Sequence, residues 1–329
     1  MELTGLLLLV LKLALGLVVL LLAATYLVLV ERKLLGRFQL RYGPNRVGWH
    51  GIWQPLADGI KLLLKEDITP AGVDRSIFRY APAVVALVPL LVLAVVPFGP
   101  DLRLADKPVP LVVADLNVGL LAVLALTSLT VYGVALGGWS SGSKYSLLGG
   151  LRGAAQMVSY ELALGLSLVP MVMLAGSFSL RDIVAAQGDY PFILVQPLAF
   201  VIFLVASVAE SKRLPFDLPE AENELMAGYH TEYGGMRFAL FFIGEYLNML
   251  TLGCLVAVFF LGGWHGPLLP PLAWFTLKVL LVPFFLIWTR ASLPRPRYDQ
   301  LMGLGWKVLV PAALVNIVVS GAVILWWRG

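Results

Sequence analysis

Eight stretches of this 329-residue chain are apolar for long enough to cross a lipid bilayer as helices: residues 4–30, 80–98, 111–137, 154–175, 192–209, 238–262, 270–290 and 307–327. Roughly 20 residues suffice, because a helix rises about 1.5 Å per residue and the hydrocarbon core is about 30 Å thick. Composition points the same way. Hydrophobic residues make up 59% of the chain and charged residues only 13%, where a soluble domain carries about a quarter charged. The pattern predicts an all-α polytopic membrane protein with about eight transmembrane helices, organised as one membrane domain over 1–329.

The first span is expected to stay in place. A cleavable leader puts basic charge before an apolar core of about 7–15 residues, whereas here Arg32, Lys33 and Arg37 follow a core running from Leu3 to Val30. Basic residues in loops mark the cytoplasmic side. With eight spans, the loops after spans one, three, five and seven share a side with eighteen of the 24 Lys and Arg residues, while Arg103, Lys107, Arg181 and Arg328 fall opposite. That bias places loops 31–79 and 210–237 in the cytoplasm and both termini outside. It also accounts for the net charge of +4 without any nucleic-acid partner.

Cysteine and histidine narrow the chemistry. Cys254 is the one cysteine and lies in the sixth span, so this chain by itself supplies neither a disulfide nor the thiolates of an iron–sulfur cluster. His50, His230 and His265 fall in predicted loops, away from the facing-span positions that paired haem ligation would need. No metal site is expected. Electron carriers, if the protein serves a redox reaction, belong to partner chains.

Two loops carry pattern. From Ile52 to Glu66, Ile52, Leu56, Ile60 and Leu63 or Leu64 share one helical face, and Asp58, Lys61 and Lys65 the other. At about 15 residues this segment is too short to span, which predicts an interfacial amphipathic helix, or one packed on a soluble partner by the same face. The second loop holds Glu210, Asp217, Glu220, Glu222, Glu224 and Glu232. Pro215 and Pro219 predict irregular backbone. A short helix is expected from Glu220, with Glu220 and Glu224 one turn apart and each raising the other's pKa. A plain solvated acidic loop is the alternative.

Ionisable groups inside spans are costly and tend to mark pathways or pairs. Glu161 sits roughly 10 Å into span four at helical rise, and Glu245 at similar depth in span six. With Ser159, Tyr160, Tyr246 and Asn248 beside them, they read as rungs of a proton path; the alternative is a static acid bonded to Lys278 or to hydroxyls. Asp115 near the outward end of span three and Lys12, which can snorkel outward, are weaker candidates.

Four segments carry a resemblance: ERKLLGRFQLRYGPNRVGWHGIWQPLADGIKLLLKED from Glu31, GWSSGSKYSLLGGLRGAAQMVSYELALG from Gly138, AESKRLPFDLPEAENELMAGYHTEYGGMRF from Ala209 and RASLPRPRYDQLMGLGWK from Arg290. They resemble the H-type membrane component of bacterial NADH-quinone oxidoreductase, the part of respiratory complex I beside its quinone site. The resemblance implies a subunit of a multisubunit translocase in the bacterial inner membrane, with no redox centre in this chain and no catalytic residue of its own. Quinone would be the substrate, and NAD, FMN and iron–sulfur clusters would sit on partner subunits. Those partners would be hydrophilic quinone-site subunits on one side and antiporter-like membrane subunits on the other, with lipid around. Glu210, Asp217, Glu220, Glu222 and Glu224 would line the quinone-responsive acidic region, and Glu161 and Glu245 would continue the proton path. Arg32, Arg37, Arg41 and Arg46 would meet peripheral subunits and the chamber mouth, and Arg290, Arg295 and Arg297 would balance the acids. Ser211, Lys212 and Leu214 stand where many members have Thr, Asn and Ala, and no needed ionisable group is lost. The rival readings are a related hydrogenase or ferredoxin-linked ion-coupling subunit, and a stand-alone ion transporter, whose inverted repeats the sequence does not show.

Overall fold

The computed structural model describes residues 3–104, 107–220 and 222–328, with side chains in that range apart from 3–11, 102–108, 222–223 and 328. The side chains of Glu222, Arg103, Lys107 and Arg328, each given a place by the sequence, therefore lie outside the described residues. Helix α1 (Leu3–Phe38) is followed by α2 (Gln54–Leu64) and α3 (Arg75–Val95). A short antiparallel hairpin, β1 (Leu102–Leu104) with β2 (Lys107–Val109), leads to α4 (Gly119–Ser140) and α5 (Lys144–Ala175). Next come α6 (Leu180–Ala185), α7 (Phe192–Val195), α8 (Pro197–Glu210) and α9 (Glu222–Leu225). The chain finishes with α10 (Gly235–Phe259), α11 (Pro271–Ser292), α12 (Tyr298–Leu304) and α13 (Val310–Arg328), the last two joined by a π-helical turn over Gly305–Leu309.

Seven of the helices among the described residues are long and apolar enough to cross a membrane: α1, α3, α4, α5, α10, α11 and the continuous α12–α13. The eighth expected span differs. It breaks at Gln196 (φ −127°, ψ 56°), since the residue ahead of Pro197 is pushed out of helical geometry. Helix α8 alone has 14 residues, about 21 Å of rise. The chain nonetheless traverses the bundle there. Ile193 N bonds Phe260 O at 3.0 Å, at the far end of α10, while Arg213, just past α8, meets Glu31 near the end of α1.

Other boundaries shift for local reasons. Helix α3 starts earlier than expected because Asp74 caps it, accepting from the amides of Ser76 and Ile77 at 3.1 and 3.2 Å. Helix α4 starts later, at Gly119, leaving Asp115 in the preceding loop, 3.3 Å from Arg181. Helix α9 starts at Glu222, so Glu220 precedes it in a turn and shares no helical face with Glu224.

Helix α10 is the buried centre, packed by α1, α3 and α11. Between apolar helices in lipid, small residues let backbones approach and gain dispersion contact. A Cβ on Gly244 would fall 2.8 Å from Val85 O, and one on Gly253 only 2.5 Å from Val279 O. The outer helices turn their apolar side chains outward, among them Leu15, Val18 and Leu22 of α1 and Val315, Val318 and Leu325 of α13. Helix α2 buries none of its residues, and Leu56, Ile60, Leu63 and Leu64 stay exposed. It packs beside α1 and α10, with Asp58 held to Arg32 at 2.8 Å.

Candidate functional site

Charged side chains converge where α1, α8 and α11 end and α10 begins. The segment after α8 is irregular, as Pro215 and Pro219 dictate. It is pinned from α5 by Gln156, whose amide donates to Ala209 O at 2.7 Å and Phe216 O at 2.8 Å. This holds Arg213, 4% exposed, in the middle of the bundle end. Its Nη1 donates to both oxygens of Glu31 at 2.8 and 2.9 Å, a charge-assisted, bifurcated contact. The guanidinium also pairs closely with Glu245 and lies 4.5 Å over the ring of Tyr246. Glu31 takes a second close contact from Arg290. One buried arginine thus joins the end of α1 to a carboxylate ten residues inside α10.

A cavity of about 130 Å³ opens beside this chain of charges, lined by Arg213, Glu220, Tyr229, His230, Phe238, Phe241, Phe242, Glu245 and Arg290. That volume, with polar walls, admits several waters. Lys212, also buried, donates to Tyr229 Oη at 3.2 Å and lies 4.6 Å over the same ring. Tyr229 donates in turn to Glu220 at 3.1 Å. Burial pushes the Glu220 carboxyl above its ordinary range, and Lys212 and Arg213 only partly oppose that. Burial likewise lowers Lys212 and raises the Tyr229 hydroxyl. Arg213 also loses hydration, but Glu245 and Glu31 outweigh that and hold its charge more firmly than in water. Tyr229 reaches Glu220 because Gly228 turns the chain at φ +61°, where a Cβ would sit 1.8 Å from Pro219 O.

The family described as NADH dehydrogenase matches residues 11–321. The chain is 66% identical over 322 residues to the second of the NADH-quinone oxidoreductase H subunits of Syntrophobacter fumaroxidans, covering 98% of this chain and 97% of that one. It is 62% identical over 324 residues to the corresponding protein of Syntrophotalea carbinolica, covering 98% of each. A third relative, the first of the H subunits of Geobacter metallireducens, is 63% identical over 314 residues and 95% of each chain. The chain belongs to the H-subunit family of NADH-quinone oxidoreductases. The resemblance carried by the four motifs is borne out along nearly the whole chain.

The structure of this family member sorts the residues singled out from sequence. Glu245 and Glu220 face the cavity, and Arg290 borders it. Asp217 is buried nearby and takes Arg295 at 2.6 Å. Glu210 is buried, with no hydrogen bond or ion pair among the described residues, and Glu161 is close enough to act on it by charge. Glu161 is half-buried in α5. Glu224 stands apart, exposed and paired with Arg152 at 2.5 Å. Arg37, Arg41 and Arg46 are exposed, and Arg297 forms a surface pair with Asp299 at 3.3 Å. Among the described residues Lys278 pairs with no acid; it donates to the carbonyls of Leu261, Gly263 and His265, the last at 2.7 Å. Sequence reasoning gave no site role to Glu31, Lys212, Arg213, Tyr229 or Gln156. Glu31 and Arg213 were legible only as the ends of basic runs.

Proposed function

We propose that this chain is the membrane subunit of a proton-translocating NADH-quinone oxidoreductase, forming part of the quinone-binding chamber and passing the effect of quinone reduction into the membrane. The observation that carries the reading is the continuous contact Arg290–Glu31–Arg213–Glu245 beside the polar cavity. A charge change at the loop end has a physical route to a carboxylate about 15 Å along α10 from its start. Buried ion pairs in low dielectric respond strongly to such a change.

Quinone reaches the site laterally from lipid, its apolar tail passing between α1, α10 and the unburied apolar face of α2. Electrons come from an iron–sulfur cluster on a hydrophilic partner, which in turn draws on NAD and FMN bound elsewhere in the assembly. The acids Glu220, Glu245, Glu210, Asp217 and Glu161, with Glu222 at the start of α9, take up and hand on protons toward antiporter-like partners. The exposed arginines 37, 41, 46 and 297 and the Arg152–Glu224 pair belong to the surface that meets peripheral subunits. The loop end faces the cytoplasm and both termini face outward across a bacterial inner membrane, as the basic-residue bias supports.

The test is isolation of the tagged chain from its native membrane in mild detergent, with co-purifying subunits identified by mass spectrometry and quinone reduction assayed on the isolate. Flavin and iron–sulfur subunits with NADH-driven quinone reduction are the expected result. A nickel-iron hydrogenase subunit, or an isolated chain with ion-transport activity, would overturn it.

A further inference from the structure

The proposed proton path uses carboxylates, yet the most deeply buried cation of the loop apart from Arg213 is Lys212, 5% exposed. A buried ammonium is expensive unless its hydrogens are taken. Its partner here is a tyrosine hydroxyl, and the hydroxyl's own hydrogen is committed to Glu220. A hydroxyl that accepts from one ionisable group and donates to another is the connection along which a proton can move without either end moving. Glu220 at the end of this line faces the cavity.

We propose that Lys212, Tyr229 and Glu220 form a proton relay in which Lys212 is a reserve for the cavity. When a proton leaves the Glu220 carboxyl for the cavity, Tyr229 Oη passes its hydrogen to Glu220 and takes one from Lys212 Nζ. Lys212 becomes a neutral amine and Glu220 is again a neutral acid. One proton is delivered and one is lost from Lys212, and the reverse transfer restores both. This deepens the proposed function and rests on its reading of the cavity as the place where proton demand arises.

The surroundings suit both states. Glu220 and Glu245 favour the charged form of Lys212 against its burial. Lys212 and Arg213 favour ionised Glu220, while Asp217 opposes it. His230 Nδ1 lies 3.9 Å from Glu220, and Phe241 packs 5.3 Å from the Tyr229 ring. Influences of both signs thus act at each end of the line.

The experiment uses the whole complex in liposomes, comparing Tyr229→Phe, Lys212→Arg and Glu220→Gln with the unmodified protein. Proton pumping is followed with a pH-sensitive dye, and the Glu220 carboxyl by the infrared band that Glu220→Gln removes. Tyr229→Phe keeps the ring under Lys212 and deletes only the connecting hydroxyl. Lys212→Arg keeps the charge but cannot surrender a proton at any working pH. Both are expected to lower the pumping rate about tenfold, and Lys212→Arg should leave the Glu220 band titrating near its usual midpoint. Pumping at the unmodified rate in Tyr229→Phe and Lys212→Arg, with Glu220→Gln impaired, would overturn the relay and leave the proposed function standing. Unmodified pumping in all three would overturn the relay together with the reading of the cavity as the place where proton demand arises.

Discussion

The two ends of the bundle hold similar charges in different company. At the hairpin end, Lys278 donates to carbonyls just past α10, and Lys12 to Pro110 O and Val112 O. Those oxygens are the unsatisfied carbonyls of a helix C-terminus and a loop, a place where partial negative charge favours a cation. Backbone carbonyls do not take up protons, so these cations are fixed. At the loop end, Arg213, Arg290 and Lys212 lie against Glu31, Glu245 and Glu220 around a cavity. There every counter-group can change its charge. What separates an anchor from a switch in this molecule is the chemistry of the partner, not how deeply the cation is buried.

The sharpest way to break that contrast is Arg213→Met. It would leave Glu31 and Glu245 buried without their shared cation, and removing one member of a buried pair costs roughly 3–5 kcal/mol. That is a large share of an ordinary folding free energy. The protein is expected to vanish from the assembled complex on immunoblots of membranes, with Arg213→Lys partly restoring it. Glu245→Gln preserves shape and removes only the ability to ionise. Its expected result is near-normal assembly with proton pumping reduced at least tenfold. Unchanged pumping in that variant would make Glu245 a structural counter-ion like the carbonyls around Lys278.

Much of the fold was legible because lipid permits few solutions. Apolar runs of about 20 residues have to become helices, and α1, α5, α10 and α11 are found where the runs are. What was not legible depended on contacts between distant segments. Whether α8 is whole turns on Pro197, but that the broken helix still crosses is decided by Ile193 meeting Phe260. Glu161, Glu220 and Glu245 stood out as acids in an apolar chain. Glu31 and Arg213 did not, since each sits among charges at a span end and only the three-dimensional meeting 182 residues apart in sequence makes them a pair. The helical pairing of Glu220 with Glu224 failed because Glu220 lies in a turn ahead of α9, where Tyr229 donates to it instead.

A milder break comes from the hairpin end. Lys278→Met keeps most of the side-chain volume and gives up the bonds to Gly263 O at 3.0 Å and to Leu261 and His265. Charge-assisted hydrogen bonds contribute about 1.5–3 kcal/mol each, and freed carbonyls near the surface recover part of that from water. The variant should melt earlier in a thermal-shift assay while each assembled complex pumps at the unmodified rate. A loss of pumping without a loss of stability would mean that the hairpin end also takes part in proton movement.

The smallest effects are expected at the loop end itself, between two acids four residues apart. Glu224 is paired with Arg152 on the outside, and the side chains are 56% and 33% exposed. Surface pairs of this kind contribute about 0–1 kcal/mol, so Glu224→Gln should change stability by no more than that. Glu220 is different because burial holds its carboxyl above the ordinary range. For an acid raised in the folded state, the unfolded chain gives up the proton first as pH rises. The stability this contributes is full below the ordinary carboxylate value and is lost as pH climbs through the folded one. Glu220→Gln, always neutral, escapes that loss. Its stability relative to the unmodified protein should therefore rise from acid toward alkaline pH, read as the difference in melting temperature across a pH series. A flat difference would place the ionised Glu220 in full balance with Lys212 and Arg213, making it an anchor like those at the hairpin end.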